Sequence, residues 1–221
     1  MALGSYERDL HNFLENSLKP DMVALDIGAN IGEMTLHMAR LVGASRKVVV
    51  FEPAPPILSR LRENVTRNNM NHIVSVLAVA LSDNDGSLEL AYADVNTENQ
   101  GMGSLTNKVN EVVTYTTTVA VRTLDSIDLD LLRCDLIKVD IQGAETGFLK
   151  GAFNFLALYK PKILMEISAS ELQTINSSPK QLCELIESLG YLIFTLVGNQ
   201  IITHSLTTES DFSTVLCIPQ Q

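Results

Sequence analysis

The stretch Val23-Ala24-Leu25-Asp26-Ile27-Gly28-Ala29-Asn30-Ile31-Gly32 decides the fold of this 221-residue chain. Its apolar residues surround a single Asp, a composition typical of a strand that is buried on both faces. From Met34 onward, apolar residues recur at helical spacing. The stretch therefore predicts a buried strand that turns through glycines into a helix, with Asp26 near the end of the strand. Such a turn exposes backbone N–H groups to a ligand.

The glycine spacing indicates what this turn can hold. Gly28 allows backbone conformations and close approaches that a Cβ would forbid, and Gly32 lets the helix pack tightly on the sheet. A dinucleotide-binding G-x-G-x-x-G motif needs a middle glycine, where this chain has Asn30. No Gly-Lys-Ser/Thr sequence follows, so the turn is not a P-loop. We expect a ligand that binds here without phosphates; a plain strand-to-helix turn is the alternative.

A second strand, Lys47-Val-Val-Val-Phe51-Glu52-Pro53, also ends in a carboxylate. Glu52 follows the glycine turn at the distance where strand-helix-strand folds bind the two ribose hydroxyls. The Asp26 carboxylate suits an ammonium or sulfonium group, and the helix N-terminus near Ile31 suits a carboxylate. S-adenosylmethionine carries all three kinds of group, which makes it the expected ligand.

Composition limits the classes of function. A net charge of −10 opposes nucleic-acid binding, and Glu63 interrupts the basic residues Arg60, Arg62 and Arg67, which are typical of a solvated helix face. No apolar run is long enough to span a membrane, and no signal peptide is evident. Three widely spaced cysteines within apolar runs predict reduced, buried side chains. We expect a cytoplasmic protein that binds neither nucleic acid nor membrane.

The order of predicted elements indicates an α/β domain. Among these elements are a strand from Ile73 to Leu81, a helix from Ala144 and a turn at Gly198-Asn199. Residues 1–20 predict an N-terminal helical extension, and residues 21–221 predict a single domain of alternating strands and helices, hence a mostly parallel sheet. The alternation breaks at about 86–122, where two half-exposed strands predict an inserted β-hairpin near the substrate site. Its long loop, 94–111, either covers the ligand crevice or is a mobile surface loop.

The chain resembles the FkbM family of class I S-adenosylmethionine-dependent methyltransferases over about residues 22–218. The resemblance rests on these segments: Leu25-Asp-Ile-Gly-Ala-Asn-Ile-Gly32, Phe51-Glu-Pro53, Ala80-Leu-Ser-Asp83 with Gly86, Gly101-Met-Gly-Ser-Leu105, Arg122-Thr-Leu-Asp125, Leu136-Ile-Lys-Val-Asp-Ile-Gln-Gly-Ala-Glu145, Leu149-Lys-Gly-Ala152 and Met165-Glu-Ile167. It implies a Rossmann-like sheet of seven strands with helices on both faces. It also implies methyl transfer, usually to a hydroxyl oxygen of a small molecule or sugar.

The resemblance also implies roles for individual residues. The methionine part of the cofactor would lie against Asp26, Gly28, Ala29, Asn30 and Gly32. The ribose would lie against Glu52 with Pro53, the adenine edge against Ser82 and Asp83, and the transferring methyl against Asp140. The methyl acceptor would lie against Gly103, Ser104 and Gln142. One departure is Gln142, because the family commonly has Glu there, in Asp-Val-Glu-Gly-Ala-Glu.

A hydroxyl acceptor must lose its proton, and Asp140 is the first candidate base, with Glu145 and Glu166 behind it. Glu145 could instead interact with a helix dipole, and Glu166 could be a structural hydrogen-bonding residue. Asp140, Glu145 and Glu166 could bind a divalent ion, but because they lack a clustered His we expect no metal ion. His11, His37, His72 and His204 are expected to be structural or exposed.

Three hypotheses on function stay open at this point. The first is O-methylation of a small molecule, and the second is N- or carboxyl-methylation of a small molecule or peptide. The third is a non-catalytic module that binds S-adenosylmethionine. This hypothesis stays open because Gln142 replaces the Glu that the family commonly has. A homodimer is left open as the assembly.

Overall fold

The computed structural model describes residues 3–44, 47–92, 103–104, 115–197, 200–203 and 212–220. Its helices are α1 (Leu3–Ser17), α2 (Glu33–Val42), α3 (Pro55–Arg67), α4 (Glu145–Gly151), α5 (Phe153–Tyr159), α6 (Ala169–Thr174) and α7 (Pro179–Ser188), with a 3-10 turn at Leu124–Ser126. Its strands are β1 (Ala24–Ile27), β2 (Val48–Phe51), β3 (Val74–Leu77), β4 (Ala80–Leu81), β5 (Gly86–Tyr92), β6 (Gly103–Ser104), β7 (Tyr115–Arg122), β8 (Leu136–Val139), β9 (Lys162–Ser168), β10 (Tyr191–Val197), β11 (Gln200–Thr203) and β12 (Phe212–Pro219).

The main sheet has the strand order β11-β10-β12-β9-β8-β1-β2-β3. The five strands from β9 to β3 are parallel, and the three at the other edge are antiparallel. The mostly parallel sheet is therefore confirmed. Within the described residues it has eight strands where seven were expected, because β11 adds a strand beyond β10. The predicted turn at Gly198-Asn199 lies outside the described residues.

Helices cover both faces of the sheet, as predicted. On one face, α4, α5 and α7 contribute Phe148, Phe155 and Leu182 to a large apolar cluster. On the other face, α1 and α2 contribute Leu14 and Met38 to a second cluster. Because both faces are covered, every residue of β1, β2 and β8 is buried. The predicted N-terminal helix is present and packs on α2. The division of the chain at residue 20 stays a prediction.

The predicted strand over residues 73–81 is wrong, because it is divided between two sheets. β3 pairs with β2, but Ala80 and Leu81 pair with β7 instead. The backbone N–H of Glu52 donates to the carbonyl of Leu77 at 3.2 Å, the last bond between these strands. The next amide on this side of β2 is that of Ala54, and it donates to Glu52 Oε1 at 2.9 Å, so the ladder between β2 and β3 ends here.

The inserted hairpin is confirmed as the core of a second sheet, with the order β4-β7-β5-β6. β5 and β7 pair antiparallel along the whole of β5. Gly103 and Ser104 form the short strand β6 and pair with Tyr92 and Ala91. The rest of the predicted loop 94–111 lies outside the described residues, as does His204.

The helix predicted from Ala144 is present as α4, but it ends at Gly151, and a second helix, α5, begins at Phe153. A carboxylate from a distant segment causes the break. The oxygens of Asp125 accept hydrogen bonds from the backbone N–H groups of Asn154 at 2.9 Å and Phe155 at 2.8 Å. These bonds satisfy the first amides of α5, as a capping side chain does.

Candidate active site

A cleft opens at the carboxyl ends of β1, β2 and β8, between the main sheet and the inserted sheet. Crevices at this end of a parallel sheet are where such folds bind ligands. The cleft brings together the predicted site residues Gly28, Asn30, Glu52, Pro53, Ser82, Asp140 and Gln142. Other predicted site residues lie outside its wall, namely Asp26, Ala29, Gly32, Asp83, Glu145 and Glu166. The side chain of Ser104 lies outside the described part of the chain.

The glycine turn passes very close to the end of β8. Gly28 has φ +78°, and a Cβ there would overlap the backbone carbonyl oxygen of Asp140. The amides of Gly28 and Ala29 both donate to the carbonyl of Phe51, at 3.0 and 3.2 Å. Gly28 therefore lets three strand ends meet at one point, because the backbone that follows β8 already occupies the space a side chain would need at this position.

Glu52 is buried at the next strand end. One carboxylate oxygen accepts from the amide of Asn30 at 3.0 Å, and the other accepts from the amide of Ala54 at 2.9 Å. Burial raises the pKa of Glu52 from 4.5 to about 7, against the two backbone hydrogen bonds, which lower it. Each carboxylate oxygen can still accept a further bond from a ligand hydroxyl.

The raised pKa of Glu52 predicts opposite pH dependences for stability and for ligand binding. The folded protein holds a proton on Glu52 that the unfolded chain releases, so stability falls as pH rises from about 4.5 to about 7, by about 3 kcal/mol. A ligand whose hydroxyls need the carboxylate should bind more tightly over the same rise, by up to about tenfold per pH unit below 7. Calorimetry with S-adenosylhomocysteine at pH 5.5, 6.5 and 7.5 measures the second effect.

Glu52→Gln is the control for both dependences, because its amide does not titrate in this range. Both pH dependences should flatten in this variant. An affinity that does not change with pH in the wild-type protein would contradict the role of Glu52.

A buried lysine connects the turn to the end of β8. The Lys138 side chain is 8% exposed, and its Nζ lies 3.3 Å from the carbonyl oxygen of Gly28, 3.4 Å from Asp140 Oδ2 and 3.6 Å from Asp26 Oδ1. Burial alone would lower its pKa, but the carboxylates of Asp26, Asp140 and Glu166 raise it above the ordinary value. The ammonium donates to the Gly28 carbonyl and to Asp140 Oδ2, and its longer contact with Asp26 Oδ1 is an ion pair.

Asp26 therefore lies beneath the turn. Its carboxylate is fully buried, and Oδ2 accepts from the Thr35 hydroxyl at 2.6 Å while Oδ1 faces Lys138. The expected contact between Asp26 and a cationic ligand group stays a prediction. In this geometry Asp26 holds Thr35 of α2 and Lys138 of β8, and through them the shape of the turn.

The other two candidates for the base, Glu145 and Glu166, do not line the cleft. Glu145 begins α4, is 1% exposed, and accepts from the amide of Gly143 at 2.9 Å. Burial raises the pKa of Glu145. Glu166 lies in β9 opposite Thr214, near enough to Lys138 to interact electrostatically. Asp140 is therefore the candidate base that the cleft exposes, with 34% of its side chain accessible.

Gln142 and two leucines complete the cleft. Gln142 has φ +47°, and its Oε1 is buried with no hydrogen-bond partner within the described residues. Leu88 and Leu90 of β5 form part of an apolar wall with Ile57 of α3. A buried acceptor without a donor is costly, so Gln142 Oε1 is suited to a ligand O–H or N–H group.

Sequence reasoning missed Lys138, Leu88 and Leu90. A lysine between Ile137 and Val139 in a buried strand was a usable signal, since buried lysines are nearly always paired. The two leucines gave no such signal, because alternating apolar residues are ordinary in any half-buried strand.

The fold is shared with solved methyltransferase structures. The chain superposes with TM-score 0.54 on the FkbM methyltransferase of Methylobacillus flagellatus, at 17% identity, covering 94% of this chain and 50% of that one. It also superposes with TM-score 0.54 on fibrillarin of Aeropyrum pernix, whose structure has natively bound S-adenosyl-L-methionine. The identity is 14%, and the match covers 97% of this chain and 76% of that one. Fold and cleft thus define a class I methyltransferase fold.

The family follows from the sequence. Residues 26–193 match the methyltransferase FkbM domain, so the chain belongs to that family. It is 31% identical over 183 residues to the AMB antimetabolite synthetase AmbE of Pseudomonas aeruginosa, covering 68% of this chain and 8% of the synthetase. It is 29% identical over 147 residues to Methyltransferase 1 of Beauveria bassiana, covering 59% of this chain and 58% of that protein. The chain therefore spans less than two thirds of the length of each of these two relatives.

The cleft fits S-adenosylmethionine as a cofactor. Gly28 and Asn30 of the glycine turn line it, Glu52 offers acceptors to ribose hydroxyls, and the apolar wall suits a purine. Among the described residues no three His, Cys, Asp or Glu side chains are placed to hold a metal ion, and none of the described helices could cross a membrane. The absence of a metal cofactor and the cytoplasmic location stay predictions.

Proposed function

We propose that this protein methylates a hydroxyl oxygen of a small molecule, such as a sugar or a natural-product intermediate. The observation that carries the proposal is the pair of acceptors at the end of β8, the Asp140 carboxylate and Gln142 Oε1. Both can accept from an O–H donor of the acceptor molecule. The similarity to a protein named as an antimetabolite synthetase supports a small molecule over a macromolecule.

Electrostatics of the cleft support an acceptor without phosphate groups. Glu52 and Asp140 are the charged residues of the wall that the structure describes, and both are acidic. Lys138 is buried and already interacts with Asp26, Asp140 and the carbonyl of Gly28. The net charge of −10 also disfavours an RNA acceptor.

In the proposed mechanism the chain positions the reactants and manages a proton. When bound, S-adenosylmethionine supplies a methyl group that its sulfonium already activates. Glu52 would hold the ribose, and Asp140 would orient the acceptor hydroxyl and accept its proton. Alignment of this kind can supply about 7–11 kcal/mol at best. Lys138 keeps Asp140 Oδ2 engaged, which leaves Oδ1 to face the acceptor.

The test is a screen of acceptors with the wild-type protein and S-adenosylmethionine, read out as S-adenosylhomocysteine and as methylated product by mass spectrometry. We expect turnover of hydroxyl compounds, with a methyl ether product that is stable to base. A base-labile product would indicate a methyl ester, and turnover of amines alone would indicate N-methylation. Either result would favour the second hypothesis and contradict O-methylation.

A further inference from the structure

The inserted sheet contributes to the cleft at an unexpected end. Sequence analysis placed the insertion near the methyl acceptor, yet β5 presents Leu88 and Leu90 to the same cleft as Glu52. Leu90 is buried in a small apolar cluster of its own, with Ala54, Ile57 and Val119. This cluster joins the inserted sheet to the beginning of α3.

The order of strands fixes where this wall lies. Glu52 follows β2, and Asp140 follows β8, with β1 between these two strands. Two strand spacings separate the strand ends by about 10 Å. Ala54 and Ile57 follow Glu52 directly in the chain, so the wall that packs on them lies at the Glu52 end of the cleft. It does not lie at the Asp140 end.

The cofactor is a linear sequence of methionine, sulfonium, ribose and adenine. If the methyl group lies toward Asp140 and the ribose lies at Glu52, the adenine extends beyond Glu52. The side chains that β5 and α3 present at that end are aliphatic. A flat purine with polar edges suits such a pocket, which is apolar with few polar groups.

We propose that the inserted sheet forms one wall of the adenine subsite, through Leu88 and Leu90. The inference rests on the proposed role of Glu52 at the ribose. The insertion then does more than approach the methyl acceptor, because it contacts the cofactor itself. Binding of a purine should stabilise the packing of β5 and β7 on α3, since the ring covers apolar surface of β5.

The experiment compares three ligands, S-adenosylhomocysteine, adenosine and methionine, by calorimetry, with the weak fragments measured by displacement. Leu90→Ala and Leu88→Ala should each lower the affinity for S-adenosylhomocysteine and for adenosine by the same factor, about tenfold. The factor is the same because the two ligands lose the same apolar contact with the adenine ring. Methionine affinity should stay as in the wild-type protein. Glu89→Ala is the matched control, since Glu89 lies on the same strand and is exposed.

Control measurements distinguish a lost adenine contact from unfolding of the inserted sheet and from a wrong role for Glu52. Leu90 is part of the small cluster, so hydrogen exchange of β5 and β7 must show that the inserted sheet stays folded. Leu88 is only half-buried, so Leu88→Ala keeps the test valid if Leu90→Ala disturbs the sheet. Unchanged adenosine affinity in Leu88→Ala, or an equal loss for methionine, would overturn the proposal. If Glu52→Gln leaves adenosine affinity unchanged while the leucine variants lower it, the role of Glu52 fails and the adenine wall stands.

Discussion

Lys138→Met should lower the free energy of unfolding by about 3–5 kcal/mol, the cost of leaving a buried charge without its partner. The variant removes the ammonium from between Asp26 and Asp140. Asp26 is fully buried, and its Oδ1 has no hydrogen-bond partner within the described residues apart from the ion pair with Lys138. Chemical denaturation of the purified variant measures the change, and we expect a melting temperature lower by roughly 10 °C.

Two further variants show that charge, and not the loss of packing, causes this effect. Lys180→Met removes an exposed lysine that pairs with Glu184 on the surface, so its cost should stay below about 1 kcal/mol. Asp26→Asn combined with Lys138→Met should be more stable than Lys138→Met alone, because it removes the unpaired charge. If the double variant is no more stable than Lys138→Met, Asp26 is not the partner that matters.

Gly28→Ala should abolish detectable binding of S-adenosylmethionine and destabilise the fold. The new Cβ would overlap the carbonyl oxygen of Asp140, and both groups belong to backbone that is fixed by the sheet. A positive φ adds about 1–2 kcal/mol for any residue with a Cβ. The turn must therefore move away from β8, which shifts the backbone that lines the cleft. We expect at least a hundredfold loss of affinity by calorimetry, about 2.7 kcal/mol.

Gly190→Ala is the matched control for the backbone conformation. Gly190 has φ +82°, close to that of Gly28, but a Cβ there would meet no atom within 4 Å. This variant should lose only the stability that the positive φ costs a residue with a Cβ, and it should bind S-adenosylmethionine with the affinity of the wild-type protein. Equal behaviour of the two variants would show that the clash with Asp140 is not what makes Gly28 necessary.

Much of the parallel sheet could be predicted because its signals are local. The apolar runs around Asp26, before Glu52 and before Asp140 each have strand character over a few residues, and glycine or proline marks their ends. Since parallel strands end at one edge, the sequence also indicated that Glu52 and Asp140 would share a cleft. The structure brings both to its wall.

The errors arose where a distant segment decides the local structure. Residues 73–81 look like one strand, but the ladder to β2 ends where the amide of Ala54 donates to Glu52, and Ala80 and Leu81 pair with β7 instead. Similarly, Asp125 supplies the cap that begins α5, thirty residues away in sequence. Periodicity within one segment contains no information about such partners.

By itself, the sequence determined the α/β class, the family, the cofactor and the positions of the carboxylates at the strand ends. It did so because each depends on residue types at short, regular spacing. Only the tertiary structure decided which carboxylates reach the cleft. Asp26 lies within β1, beneath the turn and beside Lys138, whereas Asp140 follows the end of β8 and lines the cleft. The difference comes from how neighbouring strands place one ammonium between them, and that depends on the register of β1 against β8.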